Sequence, residues 1–244
     1  MEFNNETIRT AVQLYVKNEK EGEEKYGHIN TWNVSNVTNM HDVFYEAKSF
    51  NQPLDKWNVS NVTNMSMMFA FTTSFNQPLN EWDVSNVTDM SLMFRGTKSF
   101  NQPLNEWDVS NVTNMKWMFI DTISFNQPLN NWNVSNVTNM IWMFGGASSF
   151  NQPLNNWNVS NVTHIMSMFN STTIGEMLQK HNLTNENYFD KKVYHELFVW
   201  PRKKDYVTFL VNNQYLPLNK HKEKHEYHPL FDNPDMSKYI ACYL

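Results

Sequence analysis

The chain contains one cysteine and only 6 glycines in 244 residues. Cys242 alone excludes an internal disulfide framework and a cysteine-built zinc site. Average usage would give roughly 17 glycines, so the sequence is not that of a flexible or collagen-like chain. No run approaches 18 apolar residues, and residues 1–6 lack the basic and apolar regions of a signal peptide. The sequence therefore predicts neither a membrane span nor classical export, and we expect an intracellular protein.

Charge is also scarce, at 18% of residues, with a formal net charge of −5. Residues 1–174 carry 9 basic and 15 acidic side chains, and residues 175–244 carry 10 and 9. Neither segment has the basic excess of a nucleic-acid-binding surface. The repeats described next contain almost no histidine and no cysteine, whereas an active site needs unlike groups that converge. We therefore expect a protein that is not an enzyme, carries no cofactor and binds no nucleic acid.

A 25-residue repeat dominates the sequence. The motif Trp-Asn-Val-Ser-Asn-Val-Thr occurs in six near-identical copies, which begin at Trp32, Trp57, Trp82, Trp107, Trp132 and Trp157. The motif Phe-Asn-Gln-Pro-Leu occurs in five copies, which begin at Phe50, Phe75, Phe100, Phe125 and Phe150. A fixed period of 20 to 50 residues is typical of a solenoid, in which each unit buries its apolar face against its neighbours.

The apolar spacing changes within each unit. Trp82 and Val84 are two residues apart, as on one face of a strand. Met90, Met93 and Phe94 then follow at i, i+3 and i+4, as on one face of a helix. The spacing predicts an α/β repeat solenoid, a right-handed stack of coils with one short parallel strand and one short helix per unit. The Trp side chains are expected to point into its core.

Three segments are expected. Residues 1–24 form a capping helix, since residues 6–20 place apolar side chains on one face and Asn5 is a plausible N-cap. Residues 25–174 form the solenoid of six repeats. Residues 175–244 form a small α+β C-terminal cap, with helices expected over 176–181 and 186–198.

Polar residues also recur in columns. Stacked asparagines that begin at Asn36 and Asn51 predict an asparagine ladder that satisfies backbone groups at the corners. A ligand groove is the alternative, and so is a row of glycosylation acceptors, since Asn36-Val37-Thr38 is a formal sequon. The threonine column that begins at Thr38 is interpreted as helix caps, with an ice-binding face as the alternative.

The repeat, Trp-x-Val-Ser-Asn-Val-Thr-x-Met-x-x-Met-Phe followed by Ser-Phe-Asn-Gln-Pro-Leu, resembles the BspA-like, mycoplasma-type surface-protein repeat family, a relative of leucine-rich repeats. The resemblance covers about residues 25–169 and implies a leucine-rich-repeat-like solenoid with an interaction role. It implies no catalytic residue. Because the sequence shows no signal peptide, lipobox cysteine or wall anchor, a large-DNA-virus or protist member is the expectation, with the virion or host cytoplasm as its location.

We therefore expect a monomeric, non-catalytic scaffold that binds another protein. Repeat proteins bind where their units differ, and the variable positions follow the conserved Met. The candidate partner surface consists of Met67, Leu92, Trp117, Ile141 and Trp142. The alternative is that the two Trp side chains form a second packing layer. At the level of function, a cell- or virion-surface adhesin-like protein is the alternative.

Two patterns lie near the C-terminus. His221, His225 and His228 have a spacing that could hold a metal, but they match no strong zinc template, so a solvated linker without metal is the expectation. Residues 229–244 faintly resemble the opening helix of an F-box-like motif, which gives a further alternative, a ubiquitin-ligase adaptor.

Overall fold

The computed structural model describes residues 2–190. The chain divides into two compact units, Met1–Lys191 and Lys192–Leu244, and the second lies outside the described residues. Within the described range, three α-helices flank the repeats, namely α1 (Thr7–Lys17), α2 (Glu19–Tyr26) and α3 (Thr173–Lys180). Short 3₁₀ helices span Ile29–Thr31 and Glu186–Phe189.

The repeats stack in register through their backbones. Each unit donates four N–H groups to carbonyl oxygens of the next unit, 24 residues ahead. At the first interface the N···O distances are 2.8–3.1 Å, and the donors are Met40, Asp42, Phe44 and Glu46. The equivalent residues repeat this pattern at the four later interfaces. One or two bonds per interface run the other way, such as that from the Thr63 N–H to the Thr38 carbonyl at 2.9 Å.

The prediction of an α/β solenoid with one strand and one helix per unit is wrong. None of the five full coils between Trp32 and residue 156 contains an α-helix or an extended strand. The parallel pairing is reduced to single-residue bridges between successive units, at Asn39, Asn64, Asp89, Asn114, Asn139 and His164.

The distance between units explains the missing helices. Packed α-helices need about 8–10 Å between their axes. Backbones joined directly by hydrogen bonds lie about 4.8 Å apart, and the stacked rings of Phe69 and Phe94 have centroids only 5.7 Å apart. A column of α-helices therefore does not fit at this repeat distance.

Consecutive β-turns take the place of each predicted helix. The N–H groups of Val43, Tyr45 and Ala47 each bond to the carbonyl three residues earlier, at 3.0–3.4 Å. Asp42 and Glu46 both have a φ of 57°, in the left-handed region. This path still sends Met40, Val43 and Phe44 inward. The helical spacing of the apolar residues is thus satisfied by a chain of turns.

A turn also replaces most of each predicted strand. The Val62 N–H bonds to the Val59 carbonyl at 2.9 Å, and the same bond recurs in the other units. The backbone therefore reverses within Val-Ser-Asn-Val, and only one residue per unit pairs with its neighbour as a strand would.

The prediction that the repeated Trp side chains point inward is confirmed. Trp107 is 3% exposed, and its indole Nε1 donates to the Leu79 carbonyl at 2.9 Å. The same bond to a residue 28 positions earlier recurs from Trp57 to Trp157. Phe94 and Phe100 stack in the core with centroids 4.2 Å apart. Each unit thus adds a layer of aromatic rings to one continuous core.

The N-terminal cap differs from its prediction in two ways. The expected helix over 6–20 ends at Lys17, and a second helix, α2, follows it with Asn18 as its N-cap. Asn5 is not the N-cap of α1. Its Oδ1 instead accepts the N–H groups of Thr38 and Asn39 at 2.9 and 3.0 Å. Asn5 therefore completes the first coil, and the buried face of α1 covers it.

At the other end, α3 lies over the expected helix at 176–181 and begins three residues earlier, because Thr172 caps it through the Gly175 N–H at 3.0 Å. The helix expected over 186–198 begins as the 3₁₀ turn Glu186–Phe189, in which Tyr188 is buried against Phe169. The rest of that expected helix and the other C-terminal predictions, including His221, His225, His228 and residues 229–244, lie outside the described residues.

Candidate functional site

The outward side chains of the turn segments form one surface, which we call the turn face. In the first unit they belong to His41, Asp42, Tyr45, Glu46 and Lys48, and the equivalent residues follow every 25 positions. The other side chains of the segment, those of Val43, Phe44 and Ala47, enter the core. Since these outward positions differ between units, the turn face is the variable surface of an otherwise uniform stack.

The predicted partner residues all lie on the turn face, and all are half-buried. They are Met67, Leu92, Trp117, Ile141 and Trp142. Four of them form one column of left-handed residues, with φ values of 58°, 60°, 61° and 53° for Met67, Leu92, Trp117 and Trp142. Asp42 and Ser167 extend this column at its two ends.

The left-handed column is required by the stacking. The Trp117 N–H reaches the Ile141 carbonyl at 2.9 Å, and the Trp142 N–H reaches the Met166 carbonyl at 3.1 Å. A non-glycine residue in this conformation costs roughly 1–2 kcal/mol. The backbone conformation at these positions does not favour a bulky side chain such as Trp. The presence of Trp there therefore needs another explanation.

Aromatic rings and cations alternate along the turn face. The Arg95 guanidinium lies between the rings of Phe71 and Trp117, 4.9 and 5.6 Å from their centroids. Lys116 Nζ lies 4.3 Å from the Trp117 ring, and the Tyr45 ring meets Phe71 edge-on at 6.0 Å. We call these five residues the aromatic–cation row. Sequence reasoning missed Tyr45, Phe71 and Arg95, although their positions vary between units as clearly as the Trp117 position.

Trp142 is held differently. A Cβ atom on Gly145 would clash with its ring, so the indole lies over the bare backbone of that glycine. The core beneath is already filled by Met143 and Phe144, which are fully buried. Both Trp117 and Trp142 thus cover the core from outside. Packing alone explains part of their burial, and a solvent-facing edge remains.

A groove with a volume of about 510 Å³ runs beside the aromatic–cation row across four units. Its lining residues are Glu46, Lys48, Phe71, Thr73, Gly96, Lys98, Asp121 and Ile123. Gly96 has a φ of 63°, and a Cβ there would lie 2.8 Å from Phe71 Cδ1. The missing side chain at Gly96 therefore leaves room for the Phe71 ring, which forms the middle of this side of the groove.

Basic side chains are concentrated on the turn face, which also carries the carboxylates of Asp42, Glu46 and Asp121. Of the six Lys and Arg residues between 25 and 174, four lie on the turn face, at Lys48, Arg95, Lys98 and Lys116. Within residues 2–190, none of the four has a carboxylate partner within 4 Å. The carboxylates of the middle units lie mostly on the Trp-containing half, at Glu81, Asp83, Asp89, Glu106 and Asp108.

The asparagine columns form the predicted ladders. Asn61 Nδ2 donates to the Ser35 carbonyl at 2.9 Å, and the Asn76 N–H donates to Asn51 Oδ1 at 2.8 Å. Both bonds recur along the stack. The amide nitrogens of the five later sequons are therefore already used in stacking, and that of Asn36 donates to Glu2 Oε1 at 2.8 Å.

The interpretation of the threonine column as helix caps is wrong, because no helix follows it in these units. Thr63 Oγ1 instead donates to the Thr38 carbonyl at 3.3 Å, and each later Thr bonds to its predecessor in the same way. The column is part of the inter-unit bonding.

Shifted pKa values in the described region have separate local causes. Burial, together with Glu19 and Glu23, raises the pKa of Tyr15. A hydrogen bond to Glu46 raises the pKa of Tyr45, and the hydroxyl and N–H of Ser110 lower the pKa of Asp108.

Residues 2–190 contain no group of three His, Cys, Asp or Glu side chains that could hold a metal ion. No helix in this range is long and apolar enough to cross a membrane.

Comparison with known proteins gives a family match. A family model described as "Mycoplasma protein of unknown function, DUF285" matches residues 12–119 and 103–195. The two overlapping matches together span the repeats, α2, α3 and the second half of α1. No curated protein and no solved structure matches the chain.

Proposed function

We propose a function on physical grounds, because the chain belongs to the DUF285 family and that family is described as Mycoplasma protein of unknown function. The protein is a non-catalytic repeat scaffold that binds another protein through its turn face. The resemblance of the repeat motif to BspA-like surface proteins supports an interaction role. It does not identify the partner.

The aromatic–cation row is the observation that carries this proposal. Trp, Tyr and Arg are the side chains that contribute most to protein–protein interfaces. Here they lie outside a core that Met and Phe already fill, and they occupy positions that differ between units. A side chain needed only for stacking would recur in every unit, as the buried Trp does. Variation on a uniform scaffold favours recognition over stability.

The Trp117→Ser, Trp142→Ser double variant tests the proposal. The two changes remove the half-buried indoles and leave the Met and Phe core in place, so the fold should be retained. We expect the variant to lose the partners that the wild-type protein captures by cross-linking and mass spectrometry in its source cells.

A matched control is the Glu81→Ser, Glu106→Ser double variant, which alters two exposed residues outside the turn face. It should keep all partners. If the Trp variant has a native near-ultraviolet circular dichroism spectrum and still captures every wild-type partner, the turn face is not the binding surface.

An adhesin-like surface protein is the alternative function, and the BspA-like resemblance of the repeats favours it. The two functions differ in location. Cleavage of the protein by a protease added to intact cells would select the adhesin-like function, whereas complete protection until lysis would select the intracellular scaffold.

A further inference from the structure

The groove beside the aromatic–cation row has a composition that differs from the rest of the stack. Its lining residues belong to two columns of equivalent repeat positions, which we call its two walls: Glu46, Phe71, Gly96 and Asp121, and Lys48, Thr73, Lys98 and Ile123. In each wall the residues come from four successive units. The groove thus runs along the stack axis rather than around a coil.

The dimensions of the groove suit an extended peptide. Four units separated by three hydrogen-bonded steps span roughly 14 Å. An extended chain rises about 3.3 Å per residue, so about four or five residues fit.

The two walls favour different side chains in a bound peptide. Lys48 and Lys98 are exposed, lie two units apart on one wall, and have no carboxylate within 4 Å in the described part of the chain. Opposite them, the Phe71 ring lies over Gly96 and presents an apolar surface. Ile123 is 44% exposed and ends the lysine wall with a second apolar contact.

Successive side chains of an extended peptide point to opposite sides. A peptide in this groove would therefore direct alternate residues toward the lysine wall and toward Phe71. The lysine wall favours carboxylates, and the Phe71 wall favours apolar side chains. The surrounding cations Arg95 and Lys116 add to the attraction for an acidic chain.

We propose that this groove binds an extended segment of a partner protein in which acidic and apolar residues alternate. The proposal rests on the protein-binding function proposed above and assigns the chemistry of the bound segment. Glu46 and Asp121 lie at the two ends of the opposite wall. Their carboxylates would repel a bound segment with many acidic residues, so they favour a short segment.

The test uses the full chain and synthetic eight-residue peptides with blocked ends, measured by fluorescence anisotropy. The probe has the sequence Glu-Leu repeated four times. The first control has the same composition in two blocks, four Glu followed by four Leu. The second control replaces every Glu by Lys. We expect the alternating acidic peptide to bind at least tenfold more tightly than either control.

Two pairs of protein variants locate the site. Lys98→Glu should weaken binding of the alternating peptide at least tenfold, whereas Lys56→Glu makes the same charge change on an exposed residue outside the groove and should leave it within twofold. Ile123→Glu should weaken it, whereas Ser148→Glu, at the equivalent position one unit further along, should not. All four side chains are exposed, so folding should be unaffected.

Equal affinity for the acidic and basic peptides, or equal effects of Lys98→Glu and Lys56→Glu, would overturn the proposal. This outcome is distinct from failure of the scaffold function. If the Trp117→Ser, Trp142→Ser variant loses its partners while no peptide binds, the turn face binds protein by another chemistry. If Lys98-dependent peptide binding occurs while that variant keeps every partner, the groove is a site and the Trp pair is not.

Discussion

At the scale of single residues, the repeated Trp combines burial with a hydrogen bond that joins two units. Trp107→Ala removes a 3% exposed side chain and leaves the Leu79 carbonyl without its indole donor. We expect a loss of about 3–5 kcal/mol in the free energy of unfolding, measured by urea denaturation.

Trp32→Ala tests whether a Trp in the end unit stabilises the protein as much as one in the middle. A smaller loss in the free energy of unfolding would be expected for an end unit, because it has a neighbouring unit on one side only. In the structure, however, Trp32 is also 3% exposed, since Phe3, Tyr15 and Tyr26 pack around it. We therefore expect Trp32→Ala to cost as much as Trp107→Ala. A loss smaller by more than about 1 kcal/mol would mean that the N-terminal cap does not act as a full unit.

Tyr15 gives the N-terminal cap a dependence on pH. Its hydroxyl is near Glu23 and Glu19, at 3.2 and 3.4 Å, and burial beside these groups raises its pKa above the ordinary value near 10. Above pH 10 the unfolded chain loses this proton while the folded chain keeps it. Stability from Tyr15 is therefore present below pH 10 and falls as the pH rises further.

Tyr15→Phe should remove this contribution to alkaline sensitivity. Thermal unfolding midpoints of the wild-type protein and of Tyr15→Phe, at several pH values between 9 and 11.5, measure it. If the wild-type protein and Tyr15→Phe lose stability in parallel over this range, Tyr15 ionises in the folded state as easily as in the unfolded one.

At the scale of the element, buried threonines fasten each turn segment to an earlier unit. Thr97 Oγ1 donates to the Phe69 carbonyl at 2.6 Å, and Thr72 and Thr122 make the same bond. Ala147 occupies the equivalent buried position two units after Thr97 and cannot make it. We expect Ala147→Thr to add a bond to the Phe119 carbonyl and to stabilise the protein by about 1 kcal/mol.

Ala147→Val is the matched control, because it adds similar volume without a hydroxyl. The difference between the denaturant midpoints of Ala147→Thr and Ala147→Val isolates the hydrogen bond. Thr97→Val should show the reverse effect, a loss of about 1 kcal/mol. Equal stability of Ala147→Val and Ala147→Thr would show that filling space, and not the hydroxyl, matters at this position.

The elements also show why the sequence predicted the core better than the backbone. The spacing of Met90, Met93 and Phe94 correctly placed these residues inside, because a chain of turns and a helix both bring i, i+3 and i+4 to one side. That spacing therefore cannot distinguish a chain of turns from a helix. The deciding quantity is the distance between units, which depends on tertiary hydrogen bonds that no single unit encodes.

The candidate site was predictable in part for a similar reason. Variation between units indicated the column that contains Trp117 and Trp142, and both lie on the turn face. The position of Arg95 between Phe71 and Trp117 depends on side chains from three successive units that come together only through stacking. The groove depends on the absence of a side chain at Gly96, which the sequence shows without indicating what fills the space.

At the scale of the whole molecule, the bonds between neighbouring units recur with the 25-residue period. Deleting residues 132–156 removes one complete unit and joins Asn131 to Trp157, which restores the native sequence around the junction. We expect this variant to fold and to unfold cooperatively, with a smaller denaturant m-value because less surface is buried.

Deleting residues 119–142 is the control, since it removes 24 residues and joins Met118 to Met143, which leaves one extra methionine inside a turn segment. Core side chains just after the junction would then face outward, and this segment should no longer bond in register to the next unit. Near-ultraviolet circular dichroism and urea titration distinguish the two deletions. Similar stability for both would contradict the in-register stacking of units.

The direction of the hydrogen bonds between units gives the stack an electrical polarity. At each interface four N–H groups point toward the C-terminal end, and only one or two point back. The peptide dipoles along the turn face therefore add up, as they do in an α-helix, with the negative end at the first coil. Arg9 lies at that end, 3.6 Å from Asp42, where a cation is favoured. The two ends of the stack thus prefer caps of opposite charge, and each further unit inserted between them would extend the same dipole.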